Sequence, residues 1–325
     1  MLKKIFFIFL AFVFLACDNK AIDTKANDSK RVFAFNPPLT VLLELLYPQG
    51  IIGLNYKPYP EDKDFMPENI IDLPVLGIGS RVSFEQIVSL KPDVLIFLDS
   101  TDDTIIKPYE KLGIKTIKAF DYNLIEENIK LYGNALGVTN RANELIAFYK
   151  TQAQRLKELN AKVTNRPKIY FALGFDGLQS QCAKNGDKYD LATIIGGENI
   201  IKCEEITTSK HILSLNHELI IKLNPQIIFV REIALYKELK NNPNPQWQRI
   251  DAIKNDRIYY APSSPSNWLL RPPSAMSIIG YPWAFSRVHP ELLSHEEAKT
   301  IAQDFFARFL RPLSDKDYLR LEAND

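Results

Sequence analysis

Cysteine and histidine are scarce in this 325-residue chain, at three and four residues. Zinc-finger arrays, iron–sulfur proteins and His-rich metal cages need clustered ligands that so few side chains cannot supply. An excess of one charge is lacking too. Forty Lys+Arg against 39 Asp+Glu leave a formal net charge of +1, so there is no bulk basic field to draw the chain to nucleic acid, and charge selectivity must be local. The common catalytic signatures are missing: no GxxxxGK loop, no GxGxxG after a strand, no GxSxG elbow, no HExxH. Asp176 and Glu232 have no spacing that brings them together for acid–base work. An enzyme on an α/β two-lobe scaffold is therefore the weaker reading; no catalytic residue, resident cofactor or protein-held metal is assigned. What is present is 46% hydrophobic residues, enough at about 150 residues per domain for two cores.

The chain opens with Lys3 and Lys4, an apolar run over 5–16, and Cys17 followed by the polar Asp18 and Asn19. Twelve apolar residues span roughly 18 Å as helix, short of a hydrocarbon core of about 30 Å, so a signal peptide over 1–16 is favoured over a transmembrane helix. The FLAC string at 14–17 resembles the bacterial lipoprotein processing site, with Phe14 where Leu is usual. That implies a lipidated Cys17; the alternative is an ordinary cleaved signal. Residues 17–30 are polar and read as a tether, lipid-anchored in the first case. With Cys17 set aside, Cys182 and Cys203 form an even pair in a compartment that permits disulfides, and we expect them to pair rather than remain buried thiols.

From Arg31 on, short apolar runs alternate with amphipathic segments, which predicts an α/β protein with mostly parallel sheets. Strands are expected at 31–35, 51–55, 93–98 and 114–120, with helices near 39–46, 83–90, 104–112 and 124–136. A second series has strands at 168–173, 227–230 and 257–261, and helices near 189–195, 216–223, 246–253 and 273–280. Between them, 140–163 carries apolar residues spaced for one face of a long helix, capped by Thr139 or Asn140 and stopped by Pro167. The expected division is 31–138 as an N-terminal lobe, 139–166 as the connecting helix and 167–325 as a C-terminal lobe. The most specific internal signal is a repeat: EQIVSLKPDVLIF from Glu85 matches ELIIKLNPQIIFV from Glu218, 133 residues later. Each copy reads as a helix ended by Pro and followed by a buried strand.

A lipoprotein-type signal, two α/β lobes joined by one helix, and a Glu seven residues before a Pro in each lobe resemble the substrate-binding proteins of bacterial ABC importers for iron–siderophore complexes, haem and cobalamin. LPVLG at 73–77, DRIYY at 256–260, VHPE at 288–291 and a C-terminal helix near 298–310 agree with that pattern. The resemblance implies two Rossmann-like lobes with the ligand cleft between them, a periplasmic, membrane-anchored monomer, and an ABC permease dimer with ATPase subunits as partner. It also implies that Glu85 and Glu218 meet Arg residues of the permease.

Ligands of open α/β sheets bind at the carboxyl ends of the strands. The loops there offer Asn36, Tyr56 and Tyr122, with Arg81, Arg231, Trp268 and Arg271. The segment 263–274 is the most suggestive, because Trp can stack on a ring and Arg can fork onto an anion. Three guanidinium groups, of Arg81, Arg231 and Arg271, are expected to converge. An iron chelate is the first cargo expected, with molybdate or tungstate second and cobalamin or haem third. The four His fall mostly in helices and late loops, and His217 is expected to be exposed.

Overall fold

The computed structural model describes residues 29–77, 82–183, 189–203, 212–270 and 273–323. In the first half, β1 (Val32–Ala34), α1 (Pro37–Leu46), α2 (Phe84–Ser89), β2 (Val94–Leu98), α3 (Asp103–Lys111), β3 (Lys115–Ala119) and α4 (Ile125–Leu136) follow one another. Their three strands are parallel, in the order β1-β2-β3. The central β2 is an unbroken apolar run, as a strand covered on both faces requires. The strand expected at 51–55 does not form. Ile51 and Leu54 make only isolated bridges, to Val32 and Val75. Gly53 lies tight against Leu76, and the Asn55 amide donates to the Ala34 carbonyl, so this segment closes the sheet edge without a ladder.

α5 (Thr139–Asn160) joins the halves. Its 22 residues make a rod of about 33 Å. Gly137, at φ +77°, supplies the left-handed turn that ends α4. Val138 is the N-cap of α5 and no side chain caps it, so neither Thr139 nor Asn140 takes the expected role. The helix stops before Pro167, at Asn160, whose amide donates to the carbonyls of Leu156 and Ile194.

The second half continues with β4 (Lys168–Ala172), β5 (Gln179–Gln181), α6 (Leu191–Ile194), β6 (Glu198–Asn199), β7 (Ile212–Ser214), α7 (His217–Leu223), β8 (Ile227–Val230), α8 (Ile233–Asn241), α9 (Asp251–Lys254) and β9 (Ile258–Tyr260). Four strands form a parallel sheet in the order β6-β4-β8-β9, and β5 pairs antiparallel with β7. Cys182 and Cys203 are disulfide-bonded with Cα atoms 5.0 Å apart. Closing that loop of 21 residues is worth about 3 kcal/mol in the chain-entropy account. The helix expected at 246–253 breaks into a 3-10 turn at Trp247–Arg249 and the short α9.

Three helices end the chain: α10 (Ser277–Val288), α11 (His295–Phe309) and α12 (Asp315–Leu321). α10 lies later than the helix expected at 273–280. It packs on α5 and carries α11 on its other side. Phe305 and Phe309 pack on Phe148 of the connector, and Phe306 meets Phe65 of the first half. Arg141 donates to the carbonyls of Leu45 and Phe309, while Arg320 pairs with Asp64 at 2.7 Å. The C-terminal helices thus cover the connector and reach the first half, and the main apolar core runs through both halves. Among the described residues, no helix is long and apolar enough to cross a membrane.

Candidate ligand-binding site

A cavity of about 320 Å³ opens where the carboxyl end of β3, the connector α5 and the start of α10 meet. α5 supplies Tyr149, Gln152, Ala153, Leu156, Lys157 and Asn160, a spacing of three, four, seven, eight and eleven residues that lays them along one helix face. The loop after β3 adds Tyr122 and Asn123, the second half adds Tyr189 and Ile194, and α10 adds Ser277, Ile278 and Tyr281. Both halves and their connector therefore build one cavity. Four tyrosines and aliphatic side chains form most of its wall, and among the described residues Lys157 is the single cation lining it.

The polar groups here are unevenly satisfied. Gln152 is 8% exposed, and its buried Oε1 has no hydrogen-bond partner. A buried acceptor without a donor is costly in the empty site and is relieved by a ligand that donates to it. Burial pushes the phenols of Tyr149 and Tyr281 above the ordinary tyrosine range, with Ser277 partly opposing the effect at Tyr281, so both remain neutral donors.

Of the expected ligand residues, Tyr122 lines this cavity, and Pro273 and Ser274 at the end of the expected 263–274 segment line it too. Trp268 does not present a face to ligand. It is fully buried, its Nε1 donates to the Ser264 carbonyl at 3.0 Å, and its ring lies 5.8 Å from Phe306. α10 presses on it so closely that a Cβ on Gly280 would sit 1.8 Å from its carbonyl oxygen. It is a core plug because the loop bearing it is folded under α10. Tyr56 is likewise turned inward, its hydroxyl donating to Glu44. Asn36 precedes α1 without capping it, and its Oδ1 is buried without a partner. Arg231 is exposed beside Glu232, at 3.7 Å. Arg81, Arg271 and Cys17 lie outside the described residues, so only Arg231 of the expected guanidinium trio has a described position. His217 is half-buried rather than exposed, edge-on to Trp247 at 5.3 Å.

Tyr149, Ala153 and Leu156 belong to the expected apolar face; Leu156 and Tyr149 pack on the core, and all three also line the cavity. Gln152 was missed, although a polar residue set among them was the available signal.

A second inter-half contact lies at the Ser/Pro segment. Ser264 donates to Asp62, 202 residues away in sequence. Burial raises the Asp62 carboxyl to about 6, against the opposing hydrogen bonds from Ser264 and the Tyr59 amide. Glu44 is fully buried and rises to about 8, through burial, with Asp62 adding to the effect and Tyr56 opposing it.

Glu85 and Glu218 are exposed in the first turns of α2 and α7. A hydrogen bond from Ser83 holds the Glu85 carboxyl below its ordinary range. Among the described residues, no three His, Cys, Asp or Glu side chains gather as a metal site.

The periplasmic binding protein family matches residues 49–265. The high-affinity heme uptake system protein IsdE of Staphylococcus aureus is 24% identical over 209 residues, covering 62% of this chain and 70% of that protein. An ABC transporter solute binding protein from Sulfurospirillum deleyianum superimposes with a TM-score of 0.78 at 26% identity, over 90% of this chain and 94% of its own. The molybdate-bound periplasmic protein MolA of Haemophilus influenzae shares the fold, with a TM-score of 0.69 at 16% identity over 86% of this chain and 92% of its own. With the two sheets, the joining helix and the cavity between them, these matches place the chain in the periplasmic binding protein family, as an extracytoplasmic substrate-binding protein of an ABC transporter.

Proposed function

We propose that the protein captures iron held in an organic chelate, of siderophore or haem type, in the inter-lobe cavity and delivers it to an ABC permease. The observation that carries this reading is the cavity wall, in which four tyrosines and aliphatic side chains outnumber the polar Asn123, Gln152, Lys157, Asn160, Ser274 and Ser277. Such a wall suits a cargo with an organic shell, since apolar surface supplies affinity and a few placed polar groups supply orientation. A bare oxyanion calls for convergent cations and amide donors, and among the described lining residues Lys157 is the one cation. The heme uptake role named for the Staphylococcus aureus relative agrees with an organic chelate.

Melting temperature against a panel of ferric siderophores, haem, cobalamin, molybdate, tungstate and nickel tests the cargo. Tight capture stabilises by about 2.7 kcal/mol at a hundredfold excess over Kd, so a rise of several degrees is expected with ferric chelates or haem. A shift with oxyanions alone overturns the reading.

In this proposal a lipid on Cys17 anchors the chain, residues 17–30 tether it, and Glu85 and Glu218 dock the two lobes on the permease. Their exposure on matching helices of the two halves supports that pairing. Reversing both charges, Glu85→Lys with Glu218→Lys, should reduce uptake to background while cargo affinity stays unchanged and stability moves by less than about 0.5 kcal/mol. Lost cargo binding in that variant would refute the docking role.

A further inference from the structure

A second basin, of about 490 Å³, lies at the opposite edge of the second sheet. Pro167, Gln226 and Arg257 in its wall directly precede β4, β8 and β9, so it sits at the amino ends of the strands, away from the cargo crevice. Nothing in the proposed transport role uses it.

Its lining includes three cations, Lys162, Arg257 and Arg287, two histidines, and a single acid, Glu291. Arg287 has a side chain only 10% exposed. One of its terminal nitrogens donates to the buried Glu322, and the other meets His295 Nδ1 at 2.7 Å. Its Nε is buried with no partner. A guanidinium held this deep with an unused donor is a defect unless an acceptor arrives. Arg257 donates to the carbonyls of residues 287 and 288, at 3.3 and 3.1 Å, which neutralises the negative end of α10 that would otherwise repel an anion. Glu291 is turned to His289 Nδ1 at 3.0 Å and is itself 63% exposed. The other His289 nitrogen meets the Gly196 carbonyl at 2.9 Å. Among the described residues, Lys162 has no ion pair.

Burial first and the Arg287 charge second push the His295 imidazole below its ordinary range, against the opposing Ser286 backbone and Glu322 carboxylate. Burial would raise Glu291, yet a backbone hydrogen bond, His289 and Arg257 together hold it below the carboxylate norm.

We infer that this basin binds a small organic anion carrying two or more carboxylate or phosphoryl groups. Its size exceeds that of a single oxyanion and falls within the range of small-molecule sites. Arg257 and Arg287, the latter paired with Glu322, lie at one pole of the basin, and the exposed Lys162 forms the other.

The test uses the full chain without cargo, with citrate and inorganic pyrophosphate in separate arms at constant ionic strength. Kosmotropic anions stabilise proteins non-specifically, so the readout is the ring resonances of His289 and His295, supported by calorimetry. A saturable shift of these resonances is expected; citrate alone would identify carboxylates and pyrophosphate alone phosphoryl groups. Lys162→Gln, at an exposed position outside any described ion pair, should weaken binding about tenfold, the effect of one charged hydrogen bond, and leave the melting temperature without anion unchanged. No saturable shift in either arm at about 10 mM, or wild-type affinity in Lys162→Gln, overturns the inference. No residue of the cargo cavity enters this measurement, so it stands or falls independently of the transport reading.

Discussion

The two helix–strand units, α2 with β2 and α7 with β8, share a backbone and differ in side chains. Ser83 caps the first helix by accepting from the Gln86 amide at 3.3 Å, and Asn216, 133 residues on, caps the second by accepting from Leu219 at 2.9 Å. Ile87 and Ile220 are the fully buried anchors of the two helices. Each helix is left through a residue at φ +47°, Lys91 or Asn224, with Pro92 or Pro225 next. The strand that follows enters in parallel beside an earlier one, Val94 opposite Val32 and Ile227 opposite Ile169. Two unlike residues in the same left-handed conformation show that the turn is imposed by what flanks it, a buried isoleucine before and a proline and central strand after.

If the units are equivalent, their anchors should matter equally. Ile87→Ala and Ile220→Ala are each expected to cost about 2–5 kcal/mol, the usual range for emptying a fully buried aliphatic site. Urea unfolding of the two variants is the check, and the costs should agree within about 1 kcal/mol. A loss below about 0.5 kcal/mol in one variant only would mean that its core collapses around the gap and that the likeness stops at the backbone.

Away from the units the halves diverge, the first with two buried acids raised by their surroundings and the second with a disulfide. Glu44 keeps its proton to about 8 in the folded chain, whereas an unfolded glutamate releases it near 4.3. Between those limits the folded state binds more protons, so stability is full below the lower limit and declines as pH rises through the upper one. At about 1.4 kcal/mol per pH unit the loss is a few kcal/mol at most. Asp62, raised to about 6, adds a smaller decline over a lower window. Unfolding measured from pH 5 to pH 8.5 should show this slope, and Glu44→Gln, which fixes the neutral state, should flatten most of it. An unchanged slope in Glu44→Gln would assign the pH dependence elsewhere.

The central strands of both parallel sheets and the repeat were readable from sequence because β2 and β8 are continuous apolar runs preceded by proline, and the connector because its apolar spacing persists for six turns. The two-residue β6, the β5–β7 pair and the missing ladder at 51–55 were not. Periodicity shows that a helix face is covered but not by what, so the cavity beside Tyr149 and Leu156 gave no signal. Trp268 misled for the converse reason. An aromatic in a Ser/Pro loop has the composition of a ligand contact, and only the approach of α10 at Gly280 shows it to be buried. α8 escaped notice although Leu235, Tyr236 and Leu239 keep helical spacing and Pro243 follows its C-cap Asn242. Glu44 gives no local signal, because its burial comes from residues remote in sequence.

The finest difference between the units is the turn residue, and exchanging the two side chains isolates it. Asn224 closes its turn with two bonds to Asp251, from Nδ2 to the carboxylate at 2.9 Å and from the Asp251 amide to Oδ1 at 2.9 Å. Lys91 holds the same conformation with an exposed side chain. A non-glycine residue in the left-handed region costs about 1–2 kcal/mol, and asparagine bears this best. Lys91→Asn should therefore stabilise by about 0.5 kcal/mol. Asn224→Lys should destabilise by about 1–2 kcal/mol, since it adds the conformational cost and removes both bonds. The asymmetry is the informative quantity: changes equal in size and opposite in sign would mean that the Asp251 bonds contribute nothing and that the second unit is held, like the first, by its isoleucine, proline and strand alone.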